Sequence, residues 1–206
     1  MNNQEKAYQY LKEQIINGHF KPGHSLSENQ MCIKLQMSRT PIREAIKQLE
    51  TEGLLTRQGQ KTSVCQITLA ELKDNYDLRS LLESYALEKN FPNLDQQLVQ
   101  EYGQKFQLIL QKQDWQAYLK LDELFHVFLT ENTGNPTIQK TLDLLRTQTN
   151  RMRYAIVDND RCMKSSVKEI MNIITAIEKR DILAASNALK AHIRHVYDWE
   201  VQFLQK

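Results

Sequence analysis

The sequence predicts a mainly α-helical protein in two parts, residues 1–67 and residues 68–206. Three observations carry that expectation. Apolar residues recur at helical spacing along most of the chain. The 6 Gly and 4 Pro fall mostly between the periodic segments. Only Leu54 to Gln58 and Thr62 to Ile67, around Gly59, read instead as two short strands. Three helices and a hairpin are therefore expected in the first part, and an all-α antiparallel helical bundle in the second.

The first helix, about 4 to 17, places Ala7, Leu11 and Ile15 on one face and stops at Asn17-Gly18. A loop with Pro22-Gly23 follows. Ser27 is placed to cap a second helix, about 28 to 36, with Gln30 reaching back and Met31 and Leu35 on its inner side. A tight turn at Gln36-Met37 leads to the third helix, capped by Ser38 or Thr40 and ending at Gly53. Pro41 is tolerated in its first turn, where backbone N–H groups lack internal partners. Thr68-Leu-Ala-Glu71 is a capping box that opens the second part with almost no linker. Breaks at Phe91-Pro92-Asn93, Gln113-Asp114, Gly134-Asn135-Pro136, Asp158-Asn159-Asp160 and Arg180-Asp181 divide that part into six helices. These run over roughly 68–90, 95–112, 114–132, 136–157, 162–179 and 181–204.

Composition is that of a folded globular protein, with 25% charged and 41% hydrophobic residues. The net charge of +2 is small, but its distribution is uneven. Residues 1–66 hold nine Lys or Arg against six Asp or Glu, leaving 18 against 19 in the remainder. Cys32, Cys65 and Cys162 are far apart and odd in number, so neither a disulfide framework nor a thiolate zinc site is indicated. With no signal-peptide pattern and no membrane-length apolar run, a cytoplasmic protein with no membrane partner is expected.

The third helix carries two different stripes. Ile42, Ala45, Ile46 and Leu49 form the apolar one, and Arg39, Arg43 and Lys47, at i, i+4 and i+8, form a basic one. Like charges at that spacing repel by a few tenths of a kcal/mol, and the positive end of the helix dipole opposes the first two. An external polyanion removes both penalties. A short helix, a tight turn and a basic second helix describe the helix-turn-helix, whose second helix enters the DNA major groove. Arg reads guanine there, while Ser38 and Thr40 suit phosphates. The strands around Gly59 form a wing, with Arg57 and Lys61 placed to reach the backbone or minor groove. The alternative is an amphipathic helix whose arginines are solvated or paired with Glu44, Glu50 or Glu52.

The run from Gly18 to Glu28, then S-R-T-P-I-R-E-A from Ser38 and L-E-T-E-G-L-L to Leu55, followed by Gly59, resembles the winged helix-turn-helix of GntR-type transcription regulators. That resemblance implies operator contacts from Arg39, Thr40, Arg43 and Gly59, with Ser38 supporting. Asn29 stands where some members have a further DNA-contacting Arg.

In the second part, Asp122 and His126 lie one turn apart at the edge of an apolar face, able to ligate a divalent metal or to bind each other. The segments Tyr76–Ala86, Asp122–His126, Ala176–Asp181 and Ala191-His192 are similar to the FCD effector domain of the FadR branch, in its shorter, VanR-like six-helix form. The similarity implies metal ligands at Asp122, His126, position 170 and His192. Position 170 is Ile, which has no lone pair, and Glu169 beside it points about 100° away on an ideal helix. Three ligands are left for zinc or nickel. A metal-free pocket binding an organic effector is the other reading. Arg79 is then the natural anchor for a carboxylate, with Asn172, Arg151 and Tyr154 as lesser candidates, unless Arg79 pairs with Glu83 one turn on. His195 is expected to be structural or exposed.

The leading expectation is a ligand-responsive regulator, most simply a repressor, that binds a palindromic operator as a homodimer. A metal-dependent enzyme on Asp122, His126 and His192 and a helical adaptor for other proteins are the alternatives. The sequence contains no H-E-x-x-H, G-x-S-x-G, Walker or dinucleotide motif to support an enzyme.

Overall fold

The computed structural model describes residues 1–154 and 159–205. The chain divides after Thr68 into two compact units. Unit one holds α1 (Asn3–Ile16), β1 (Ser25–Leu26), α2 (Glu28–Leu35), α3 (Arg39–Thr51), β2 (Leu55–Gln58) and β3 (Lys61–Val64). Its core is made where the helical stripes meet: Ala7, Leu11 and Ile15 of α1 against Ile42, Ala45, Ile46 and Leu49 of α3. Leu26, Leu54, Leu55 and Val64 close it from the sheet side. Each fully buried Leu or Ile contributes about 1.5–3 kcal/mol by leaving water.

α2 begins where Ser27 accepts from the Gln30 N–H at 3.4 Å, and ends at Gln36, whose φ of 53° turns the chain. Ser38 occupies the N-cap position of α3 without a capping side-chain hydrogen bond, which corrects the expected role of its hydroxyl. The sheet also departs from the expected hairpin. It has three antiparallel strands in the order β1-β3-β2, with Ser25 opposite Ser63 and Leu26 opposite Thr62. Two residues give no alternation to read, so β1 exists only through its partner. The β2–β3 turn puts Gly59 at φ +61°, open to residues without a Cβ at little cost.

Unit two is built from α4 (Leu69–Asn90), α5 (Gln96–Lys112), α6 (Trp115–Thr130), α7 (Pro136–Arg153), α8 (Asp160–Glu178) and α9 (Ile182–Leu204). Between α4 and α5 lies one 3-10 turn, Phe91–Asn93, a consequence of Pro92. Asp95, Asp114, Asn135, Asn159 and Asp181 each accept backbone N–H groups at the following helix start. α7 is helical through Arg153, and its expected end at 157 lies outside the described residues. α4 packs against α6, α7 and α9, and α8 against α5 and α9. The buried stripe of α4 is unusual for a core helix: besides Leu72, Ala86 and Leu87 it contains Tyr76, Arg79, Glu83 and Asn90.

Candidate nucleic-acid interface and buried polar cluster

In unit one, Ser38, Arg39, Thr40, Arg43 and Lys47 are all exposed on α3, because Ile42, Ala45, Ile46 and Leu49 take the opposite face inward. Arg39, Arg43, Arg57, Gly59 and Lys61 line one open recess between α3 and the wing, and Lys47 flanks a second with Arg43 and Arg57. Arg39 makes no ion pair among the described residues. Arg43 and Arg57 do, and Arg43 takes a partner outside α3. Glu28 of α2 accepts from Arg43 Nε at 2.7 Å and from Arg57 Nη2 at 2.9 Å. Glu50 lies 3.7 Å from Arg57, while Glu52 binds Lys12 and the Tyr8 hydroxyl. The hydrogen bond from Arg43, with Arg57 nearby, holds the Glu28 carboxyl below its usual range. Sequence spacing within α3 could not reveal Glu28, because its pairing depends on how α2 crosses α3.

In unit two, polar groups on α4, α6, α7 and α9 form one buried network. Glu83 is its centre: Oε1 accepts from Arg79 Nε at 2.7 Å and Arg146 Nε at 3.3 Å, and Oε2 lies 2.5 Å from His126 Nδ1. Arg79 is thus in the intrahelical pair with Glu83 that was its alternative role. Arg146 also donates to the His126 carbonyl and to Thr130 Oγ1. Asp122 receives the Tyr118 hydroxyl on Oδ1 at 2.9 Å and Arg153 Nη1 on Oδ2. His126 Nε2 faces Asp122 Oδ2 at 3.6 Å, and His192 Nε2 faces Oδ1 at 3.5 Å.

Two expectations are corrected here. Asn172 is exposed, about 200° around α8 from the buried Ile170, and does not join the cluster. Glu169 does reach it, because its long side chain makes up for its angular offset: Oε2 lies 3.0 Å from His192 Nδ1 and Oε1 3.0 Å from the exposed His195. Arg151 is buried and Tyr154 half-buried at the end of α7. Arg146 and Arg153 are the members that sequence reasoning left out. Their seven-residue spacing, which puts both on one face of α7, was their only signal.

Burial by itself would raise both central carboxyls, but neighbouring cations prevail. Arg79, His126 and Arg146 hold Glu83 well below the usual range, and Arg153 with the two histidines does the same for Asp122. Burial pushes His126 below the ordinary imidazole value against the pull of Glu83 and Asp122. His192 is also desolvated, yet hydrogen bonds with Asp122 and Glu169 raise it. Glu200, on α9, is pushed up to about 8 by burial despite the 2.8 Å hydrogen bond from Tyr76.

Asp122, His126 and His192 could hold a metal ion, since one donor atom from each lies within 4.8 Å of the others. The fit extends beyond spacing. Glu83 and Glu169 each face an Nδ1 and leave both Nε2 atoms turned toward Asp122, as carboxylates do behind metal-bound histidines. His126 Nε2 is buried with no hydrogen-bond partner. Ile170 adds no donor.

Comparison with known proteins agrees with this architecture. Residues 3–64 match the family described as bacterial regulatory proteins, gntR family, and residues 74–195 match the FCD domain. The HTH-type transcriptional repressor RspR of Escherichia coli is 25% identical, over 98% of this chain and 90% of its own length. The gluconate operon transcriptional repressor of Bacillus licheniformis is 30% identical over 62% of this chain and 54% of its own. Among solved structures, E. coli McbR/YncC superimposes with a TM-score of 0.86 at 20% identity, covering 99% of both chains, which supports the fold.

Proposed function

Because the chain belongs to the gntR family of bacterial regulatory proteins and carries an FCD domain, it is a transcription regulator and not an enzyme, and we propose that it acts as a homodimeric repressor on a palindromic operator. The observation that carries this reading is the single exposed face shared by Arg39, Thr40, Arg43 and the Gly59 wing. α3 enters the major groove, where Arg39 and Arg43 read base edges. Ser38, Lys47, Arg57 and Lys61 contact phosphates, and the Ser38 hydroxyl has no capping duty to give up. Phosphates take over from Glu28 as partners of Arg43 and Arg57. Two relatives named as repressors support the sign of regulation.

The helical unit receives a small anionic effector, a carboxylate in the simplest case. Arg79, Arg146, Arg151 and Arg153 outnumber the ionised Glu83, Asp122 and Glu169 while Glu200 keeps its proton, so the interior favours an incoming negative charge. Arg79, Asp122, His126 and His192 would contact it. A divalent metal held by Asp122, His126 and His192 would act as a Lewis acid toward the effector's oxygens. Leu78, Leu81 and Tyr85, exposed on one side of α4, supply apolar surface for the second copy. No described helix is long and apolar enough to cross a membrane, and a cytoplasmic site of action follows from the DNA target. Coupling between effector and operator is typically about 1–3 kcal/mol.

Fluorescence anisotropy with the DNA upstream of its own gene tests the reading. Affinity should fall steeply with salt, and Arg43→Ala should weaken it about 10- to 100-fold. Unaltered affinity in that variant would sink the assignment.

A further inference from the structure

We propose that Arg153 is an internal competitor for a divalent cation at Asp122: its guanidinium stands where a metal's charge would be needed, and metal enters only by displacing it. The proposal rests on the metal-capable arrangement of Asp122, His126 and His192, and it concerns a residue outside that set.

The geometry is specific. Arg153 ends α7 with its side chain 5% exposed, and its Nη1 donates to Asp122 Oδ2. That oxygen is the one facing His126 Nε2. The other oxygen accepts from Tyr118, and the Arg153 guanidinium carbon sits 5.9 Å from the Tyr118 ring centre. Arg153 is thus held from two sides, by a carboxylate and by the face of the aromatic ring that binds the same carboxylate. A buried Asp122 without a cation would be strongly disfavoured, and Arg153 meets that need from within the chain. A guanidinium also has five N–H donors and no lone pair, so it cannot satisfy His126 Nε2, which stays buried without a hydrogen bond. The cluster consequently keeps a donor set aimed at a cation while its central carboxylate is already neutralised. Ile170 works in the same direction by withholding a further ligand.

Two cations cannot share Asp122 at this range in a low-dielectric interior without strong repulsion. Metal binding must therefore include moving Arg153 away, toward Glu200 or toward an anionic effector. The same pairing lets the bundle fold without metal on this proposal.

Isothermal titration of the full chain with nickel and with zinc chloride, after dialysis against a chelator and with no DNA present, tests this directly. Arg153→Met keeps the unbranched stem against Tyr118 and removes the charge. It should bind one equivalent of metal about tenfold or more tighter than wild type. Adding Ile170→His should tighten binding again, while Arg153→Lys should stay close to wild type. Circular dichroism establishes that each variant is helical. Should Arg153→Met damage folding, the wild type still decides: purified with stoichiometric metal that chelator removes only together with its fold, it would overturn the proposal. Equal metal affinity in wild type and folded Arg153→Met would overturn it as well. Because DNA is absent, either result leaves the operator reading to its own test.

Discussion

Glu28 and Glu83 do the same chemical job in different solvents. Each carboxylate bridges two arginines, Arg43 and Arg57 from other elements for one, Arg79 of its own helix and Arg146 of α7 for the other. Glu28's arginines are about half exposed, whereas Glu83 and both of its partners are within a few per cent of fully buried. Water and salt screen the first bridge, so a phosphate can replace the carboxylate with little loss. No such exchange is open to the second. Removing one member there leaves desolvated charges without a partner. One unit of this regulator therefore keeps the charges of its bridge available, and the other fixes the Glu83 bridge as architecture.

The sharpest way to break this contrast is Glu83→Ala, which should lower the stability of the helical unit by about 3–5 kcal/mol. Urea unfolding followed by tryptophan fluorescence reads it cleanly, since Trp115 and Trp199 both lie in that unit. A loss below about 1 kcal/mol would mean that the buried bridge is as replaceable as the surface one.

Next in size is a pH effect from Glu200. In the native state its proton is retained up to about 8, while an unfolded glutamate releases it near 4.3. Unfolding between those values releases a proton, so this group's contribution to stability declines as pH rises through the window. From pH 5 to 7 the decline is roughly 2–3 kcal/mol, and Glu200→Gln should remove it. Wild type and variant showing the same pH slope would place Glu200 outside the desolvated interior.

Smallest of all is Glu28→Gln, expected to change the stability of unit one by no more than about 0.5 kcal/mol. Hydrogen exchange of the α1 and α3 amides measures it. A loss comparable to that of Glu83→Ala would erase the distinction between the two bridges.

Local patterns made much of the fold legible. Helical periodicity marked the helices, and Asp114, Asn135 and Asp181 marked three of their starts, because a cap needs only the backbone a few residues ahead. β1 escaped notice because two residues become a strand only when β3 lies beside them. The basic stripe of α3 was equally visible, since three side chains four residues apart must share a helical face. Its carboxylate partner was not.

The interior cluster shows the same division. Asp122 and His126 could be paired from spacing, and His192 from resemblance. Arg146, Arg153 and Glu169 could not be assigned, because residues on α7, α8 and α9 meet α6 only through packing.

By itself, then, the sequence determined the helices, the two-part division and the exposed basic face, all set by interactions within a few residues. Tertiary structure alone decided that Glu28 answers Arg43 and Arg57, that Arg146 joins Glu83, and which cation stands at Asp122. Those pairings join groups far apart along the chain, and burial, which only the packed bundle creates, gives them their strength.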